Sequence, residues 1–103
     1  MTRDERFRRL QELGCIACRK MGKFSAPDIH HLNLGGHAGQ KRRGDAFTIP
    51  LCPAHHRGVF WREEDHGPSL AIHPGRFRRE FGSDDELLAE VNALLGVNDA
   101  PAE

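Results

Sequence analysis

No run of apolar residues in this chain approaches the length needed to span a bilayer, and Met1 to Gln11 is too polar and charged to be a secretory signal peptide. A cytoplasmic protein with no membrane partner is therefore expected. Bulky apolar side chains are scarce as well. Only 6 Phe and 1 Trp, with scattered Leu, Ile and Val, serve 103 residues. That length suits one domain with a thin core, where a structural metal would contribute to the folding free energy. The 3 cysteines form an odd set, which does not suit a disulfide framework and does suit metal binding in a reducing compartment. Net charge is formally zero, so it neither supports nor excludes any class of partner.

What the chain does have is a paired spacing of metal ligands. Cys15-x2-Cys18 returns as Cys52-x2-His55, and two short pairs of soft ligands are what a closed tetrahedral zinc site requires. The gap between the pairs is too long for an ordinary short finger, but it suits a site that staples two knuckles across a hairpin. Two other readings are weaker. Buried free cysteines are common, yet they need no matched spacing. A redox Cys-x2-Cys would sit in a strand-to-helix pattern, and none surrounds Cys15.

Histidines remain after this site is filled: His30-His31, His56 and, further on, His73. A purely structural zinc module has no need of them. Adjacent residues on a strand point to opposite faces, so His30 and His31 are expected to divide their roles between an ion and a substrate. His56 follows His55 directly, so the zinc staple fixes its position. Together they would leave an imidazole-bound ion with open positions for water and a phosphate.

The local pattern places these residues on short elements. Thr2 to Leu13 reads as a helix, with Phe7, Leu10 and Leu13 recurring, Asp4 and Glu5 in the first turn and Gly14 as its stop. Cys15 to Cys18 opens a knuckle that turns over Arg19 to Gly22. Ile29 to Leu34 and Phe47 to Leu51 read as short strands, the second alternating about Thr48 and Pro50, with Pro50 marking an edge. Gly35-Gly36 and Gly39 lie in the loop between them, which carries His37. Pro53 suits the first turn of a helix bearing His55 and His56. Gly58 and Gly67-Pro68 interrupt the next stretch, where a helical turn is expected around Val59 to Trp61. Phe77 and Phe81, then Leu87, Leu88, Val91, Leu94 and Leu95, form a helical pattern split at Gly82, with Ser83 and Glu86 as a capping box. Asn98 to Glu103 reads as a frayed tail.

Charge is segregated although its sum is zero. Arg3, Arg6, Arg8 and Arg9 open the chain, Lys41, Arg42 and Arg43 form a central run, and Arg76, Arg78 and Arg79 cluster late. One basic face on a neutral protein is enough to contact phosphates, and a solvated surface laced with ion pairs is the plainer alternative.

His30-His31-Leu32, a glycine-rich basic loop, and Ile49-Pro50-Leu51-Cys52-Pro53-Ala54-His55-His56 together resemble the HNH nucleases. Gly44-Asp45-x-Phe47 and Ile72-His73 with Phe77 and Phe81-Gly82 are similar to phage and prophage members, the Ref-like recombination-enhancement nucleases. The resemblance runs from about Cys15 to Phe81. It implies a small α+β fold with a ββα-metal (His-Me finger) core, a structural zinc site and flanking helices. The whole chain, 1–103, would be one nuclease domain, with its core at about 15–81 and a helical segment at about 83–96.

The resemblance also implies roles. His31 would be the general base, and His30 and His56 ligands of a catalytic ion. His73 would be a further ligand, although Gly58 to Leu70 separates it from His56 and leaves His66 as a competitor. Cys15, Cys18, Cys52 and His55 would hold structural zinc, with His55 standing where some relatives have a fourth cysteine. The catalytic ion would be Mg, Mn, Ni or Zn, since imidazole ligands do not choose among them. It would neutralise developing charge on a DNA phosphodiester while His31 takes a proton from water, its tautomer held by a backbone carbonyl. Lys41, Arg42 and Arg43 are the expected phosphate contacts, and neither Asn33 nor Asp45 is expected to be catalytic. So small a chain buries little DNA, so a homodimer or a recombination-protein partner is expected to guide it in a phage-bearing bacterial host. The main rival is a zinc-stapled nucleic-acid-binding module without chemistry. A protein-interaction adaptor that presents Phe60, Trp61 and the last helix is a further one.

Overall fold

The computed structural model describes residues 1–32 and 44–97. Asn33, His37, Lys41, Arg42, Arg43 and the tail from Asn98 lie outside the described residues. Eight elements follow one another among those described. They are α1 (Arg3–Leu13), α2 (Ile16–Lys20), β1 (Asp28–His31), β2 (Thr48–Leu51), α3 (Pro53–Arg57), α4 (Glu63–His66), α5 (Pro74–Phe81) and α6 (Asp84–Leu95).

The first helix starts and stops where its residues dictate. The Thr2 hydroxyl accepts from the Glu5 amide at 3.1 Å, which satisfies one of the amides a helix start leaves unpaired. Gly14 ends it at φ +83, and a Cβ there would lie 2.6 Å from the Phe24 ring, so only glycine fits. The knuckle that follows is tighter than a turn. Cys15 caps the short helix α2, its sulfur accepting from the Cys18 amide at 3.4 Å.

β1 and β2 pair antiparallel, with Asp28 opposite Leu51, Ile29 opposite Pro50, His30 opposite Ile49 and His31 opposite Thr48. With only two strands in the sheet each is an edge, so Pro50 costs no ladder partner beyond β1. All four residues of β2 are buried, unlike the half-exposed alternation its sequence suggests. The reason is packing, because α1, α2, α3 and α6 all contact this strand.

α6 carries the capping box at its start, Ser83 Oγ accepting from the Glu86 amide at 3.2 Å and Glu86 accepting from the Ser83 amide at 3.0 Å. Those bonds hold the Glu86 carboxyl below its usual range. Leu87, Leu88, Val91 and Leu95 are buried with Phe77 and Phe81 of α5, Leu10 of α1 and Ile49 and Leu51 of β2. The helical turn after α3 forms at Glu63–His66, not at Val59 to Trp61. Three acidic residues at its start favour the later position, since carboxylates are stabilised at a helix N-terminus.

Arg6 departs most from the sequence reading. It belongs to the first basic cluster, yet it is buried, donating to Thr48 Oγ1 at 2.9 Å, to the Thr48 carbonyl at 2.8 Å and to Asn92 Oδ1 at 2.9 Å. Desolvation holds its guanidinium below the ordinary range. It joins α1, β2 and α6 and contributes nothing to a phosphate-binding face. Other clustered cations are engaged by carboxylates: Arg3 with Asp45, Arg8 with Glu12, Arg76 with Glu63 and Arg78 with Asp84. Among the described residues, the ion-pair-laced surface is the better description.

Candidate metal centre and histidine cluster

The two knuckles converge. The ligand atoms of Cys15, Cys18, Cys52 and His55 all lie within 4.8 Å of one another, and all four residues are buried. A tetrahedral zinc ion with bonds of about 2.3 Å to sulfur and about 2.0–2.1 Å to nitrogen implies S···S edges of about 3.8 Å and S···N edges of about 3.5 Å. The Cys18 and Cys52 sulfurs are 3.8 Å apart. Nδ1 of His55 lies 3.5, 3.4 and 3.3 Å from the sulfurs of Cys15, Cys18 and Cys52. The donor set therefore fits zinc in chemistry, and four of its six edges match a tetrahedral zinc site in length.

The surroundings aim these donors. The Cys18 amide donates to Cys15 Sγ at 3.4 Å, the His55 amide to Cys52 Sγ at 3.5 Å, and Ser25 Oγ to Cys18 Sγ at 3.1 Å. Nε2 of His55 donates to the His66 carbonyl at 2.7 Å. A carbonyl only accepts, so the proton of the neutral ring sits on Nε2 and Nδ1 turns its lone pair to the sulfurs. Hydrogen bonding and burial shift these groups in different directions. Hydrogen bonding with Cys18 and Cys52, then burial, holds the Cys15 thiol far above its ordinary range. Hydrogen bonds from Cys15 and Cys18 hold Cys52 far below it. Burial is the largest influence on His55 and lowers it, but hydrogen bonds to Cys18 and Cys52 outweigh that, and it is pushed up to about 10.

A second set of side chains gathers where α3 meets β1. Nδ1 of His30 and Nε2 of His56 are 3.1 Å apart. Cis ligands at about 2.1 Å from one ion are separated by about 3.0–3.4 Å, so these two nitrogens fit a shared ion. Nδ1 of His56 donates to Asp28 Oδ2 at 3.2 Å, and Arg57 Nε donates to the same oxygen at 2.9 Å. That carboxylate places the His56 proton on Nδ1 and leaves Nε2 toward His30, the arrangement that orients a ligating imidazole. Asp28 is not among the candidates its sequence context suggests, although its spacing is a usable signal. Residues i and i+2 of a strand share a face, which puts Asp28 beside His30.

His31 faces the other way. Its Nε2 donates to Asp45 Oδ1 at 3.0 Å, and its ring meets Phe7 of α1 edge-on at 5.9 Å. Arg3 Nε lies 3.3 Å from the other Asp45 oxygen, and Thr48 Oγ1 donates to the Asp45 carbonyl at 2.9 Å. A carboxylate, rather than the expected backbone carbonyl, therefore sets the His31 tautomer. Fourteen residues separate Asp45 from His31, and only the hairpin brings them together.

Neither His73 nor His66 forms a group of three close ligand atoms with His30 and His56 among the described residues. Among the described residues, the Cys15, Cys18, Cys52 and His55 set is the only group of three or more ligand atoms this close. His73 packs against the Trp61 ring at 5.1 Å, and its buried Nδ1 has no hydrogen-bond partner. His66 serves the sulfur site, through its carbonyl and through a ring 5.4 Å from that of His55. Trp61 packs against the core and donates to the Gly67 carbonyl at 2.7 Å. With Leu87, Leu88, Val91 and Leu95 of α6 also buried and only Leu94 of its apolar pattern exposed, the adaptor reading loses most of its surface. No described helix is long and apolar enough to cross a membrane.

No curated protein and no solved structure matches the chain. One family model does, that of the recombination enhancement, RecA-dependent nucleases, over residues 2–96. The match takes in α1 and α6 as well as the segment between Cys15 and Phe81. The hairpin, its flanking helices and the three-cysteine, one-histidine cluster are consistent with a His-Me finger-like fold, and by this match the chain belongs to that family of nucleases.

Proposed function

We propose that this protein is a metal-dependent endonuclease that hydrolyses DNA phosphodiester bonds, with the whole chain acting as one ββα-metal domain. The observation that carries the reading is the convergence of His30 Nδ1 and His56 Nε2 at 3.1 Å, backed by the Asp28 carboxylate. A protein that only bound nucleic acid would have no use for an open imidazole pair beside a complete structural zinc site.

His30 and His56 would hold the catalytic ion, a divalent Mg, Mn, Ni or Zn. Bound there, such an ion supplies Lewis acidity and charge neutralisation at the scissile phosphate. His73 remains the candidate third ligand because its buried Nδ1 lacks a partner. His31 is the general base. Donation from Nε2 to Asp45 leaves the Nδ1 lone pair of the neutral ring free to accept a proton from water. The water oxygen then bonds to phosphorus as the bond to the 3′ oxygen breaks. That oxygen takes a proton from solvent, giving a 3′ hydroxyl and a 5′ phosphate. Asp45 keeps the base oriented, and Arg3 keeps Asp45 in place. Lys41, Arg42 and Arg43 are proposed phosphate contacts from the loop. A reducing cytoplasm suits the three free cysteines, and guidance by a second copy or by a recombination protein would make up for a small DNA footprint.

The test is cleavage of supercoiled plasmid with added Mn or Mg by wild type and by His31→Ala, with zinc content measured in both. A loss of about 10²–10⁴-fold in the variant, zinc retained, is the expected outcome for removal of a general base. Equal cleavage by both proteins would mean the base is elsewhere. A non-catalytic binding module is the second reading, favoured by there being a single group of three or more close ligands, the four-ligand sulfur site, among the described residues. It would be established by DNA retardation without cleavage and by one zinc per chain with no second ion site.

A further inference from the structure

Phe60 is the one described non-glycine residue with positive φ, at +54, and its side chain is also the most exposed of the large hydrophobics, at 92%. Each property is unfavourable alone. A bulky side chain in the left-handed region is strained, and a phenyl ring in water gains nothing from burial. Glycine or asparagine would suit this backbone better. The chain nonetheless holds the ring out. Gly58 ends α3 at φ +75 under Ile72, the Val59 amide donates to the Pro53 carbonyl at 3.2 Å, and Trp61 is anchored to Gly67 and His73. The strained tip is thus framed on both sides by fixed residues.

Its position in the chain bounds a distance. Phe60 stands four positions after His56, a reach of at most about 14 Å, or about four base steps along a strand. Arg57 and Arg62, both exposed, flank the segment, and their surface pairs with Asp28 and Asp65 are weak enough for a phosphate to displace. An aromatic ring between cations suits a nucleic-acid strand, whose bases stack on the ring while phosphates meet the cations. A protein-docking surface would call for a broad apolar patch, and here only Phe60 and the half-exposed Ile72 are available.

We propose that Phe60 is a stacking residue that receives an unpaired base of the DNA strand lying across the His30–His56 pair. Intercalation into an intact duplex must first unstack a base step, whereas a single strand offers its base faces without that cost. The site therefore prefers single-stranded or unpaired DNA. This rests on the nucleic-acid part of the function proposed above, but not on its chemistry.

The test measures fluorescence anisotropy of a short labelled single strand, and of the same strand in duplex, with full-length zinc-loaded protein and no added Mg or Mn. Phe60→Ala is expected to weaken single-strand binding about tenfold or more, with a smaller effect on duplex and an unchanged salt dependence. Phe60→Trp keeps the affinity. Phe60→Gly relieves the backbone, so it melts at higher temperature and still binds weakly. Those opposite movements cannot come from misfolding. Unchanged affinity in the Ala and Gly variants, or a wild type that binds no single strand, overturns the proposal. So does a variant whose only change is loss of self-association, which would make the ring a protein contact. Plasmid cleavage that survives any of these results leaves the nuclease reading standing.

Discussion

His55 and His56 are neighbours on one helix, yet they belong to opposite kinds of site. His55 is fully buried with its Nδ1 among three sulfurs, and its other nitrogen is bonded to a backbone carbonyl. The His56 side chain is 22% exposed, faces one further imidazole and is backed by a carboxylate. The first site is closed, with four buried donors. The second has two described donors and access to solvent. A closed site can hold a fold together, but it cannot admit a substrate to the ion; an open one can do the reverse. The peptide bond between them means that folding around the first site aims the second.

The largest effect should come from the closed site. Cys18→Ser removes one donor and, with it, most of a binding free energy that is on the order of 10–16 kcal/mol in small zinc domains. This matches or exceeds the whole stability of a typical domain. Loss of zinc by elemental analysis and of a cooperative melt by circular dichroism is the expected pair of results; a variant that keeps either would mean the site is not structural. Chelation of wild type should do the same, more readily at low pH, where protons compete for the three sulfurs and His55.

Changes beside the open histidines should leave the fold intact. Asp28→Asn is expected to weaken binding of the second ion about 10–100-fold, as loss of an outer partner typically does, while structural zinc and melting temperature hold. Asp45→Asn should lower turnover even at saturating metal, because on the proposed roles it disturbs the base and not the ligands. A metal titration of cleavage separates the two. If both variants respond alike to added metal, the division of labour between the faces of β1 is wrong.

The smallest effect belongs to neither site. Ser83→Ala removes the hydroxyl half of the α6 capping box and should cost about 1 kcal/mol, a shift of about 4–8 °C in a domain of this size. Cleavage per folded molecule should be unchanged. Reduced turnover at a temperature where the variant is fully folded would show that α6 influences the site beyond supporting it.

Much of this could be read locally. The x2 spacings, the Pro53 helix start, the Ser83–Glu86 box and the stops at Gly14 and Gly82 depend on near neighbours, and each appears where its residues indicate. What could not be read locally was which distant partner each polar group meets. Arg6 looked like one more surface cation until β2 and α6 closed over it. Asp45, not expected to be catalytic from the sequence, is placed on His31 by the hairpin. The helical turn expected at Val59 to Trp61 was displaced because Gly58 and a left-handed Phe60 occupy that stretch.

Ligand types, their pairing and the opposite facing of His30 and His31 were determined by the sequence alone, because they follow from residue chemistry and the alternation of a strand. The tertiary structure decided that Asp28 backs one histidine and Asp45 the other, that His66 serves the sulfur site, and that Phe60 stands in solvent. Those outcomes depend on contacts closed across the fold, and a polar side chain commits to a partner only when burial removes water as the alternative.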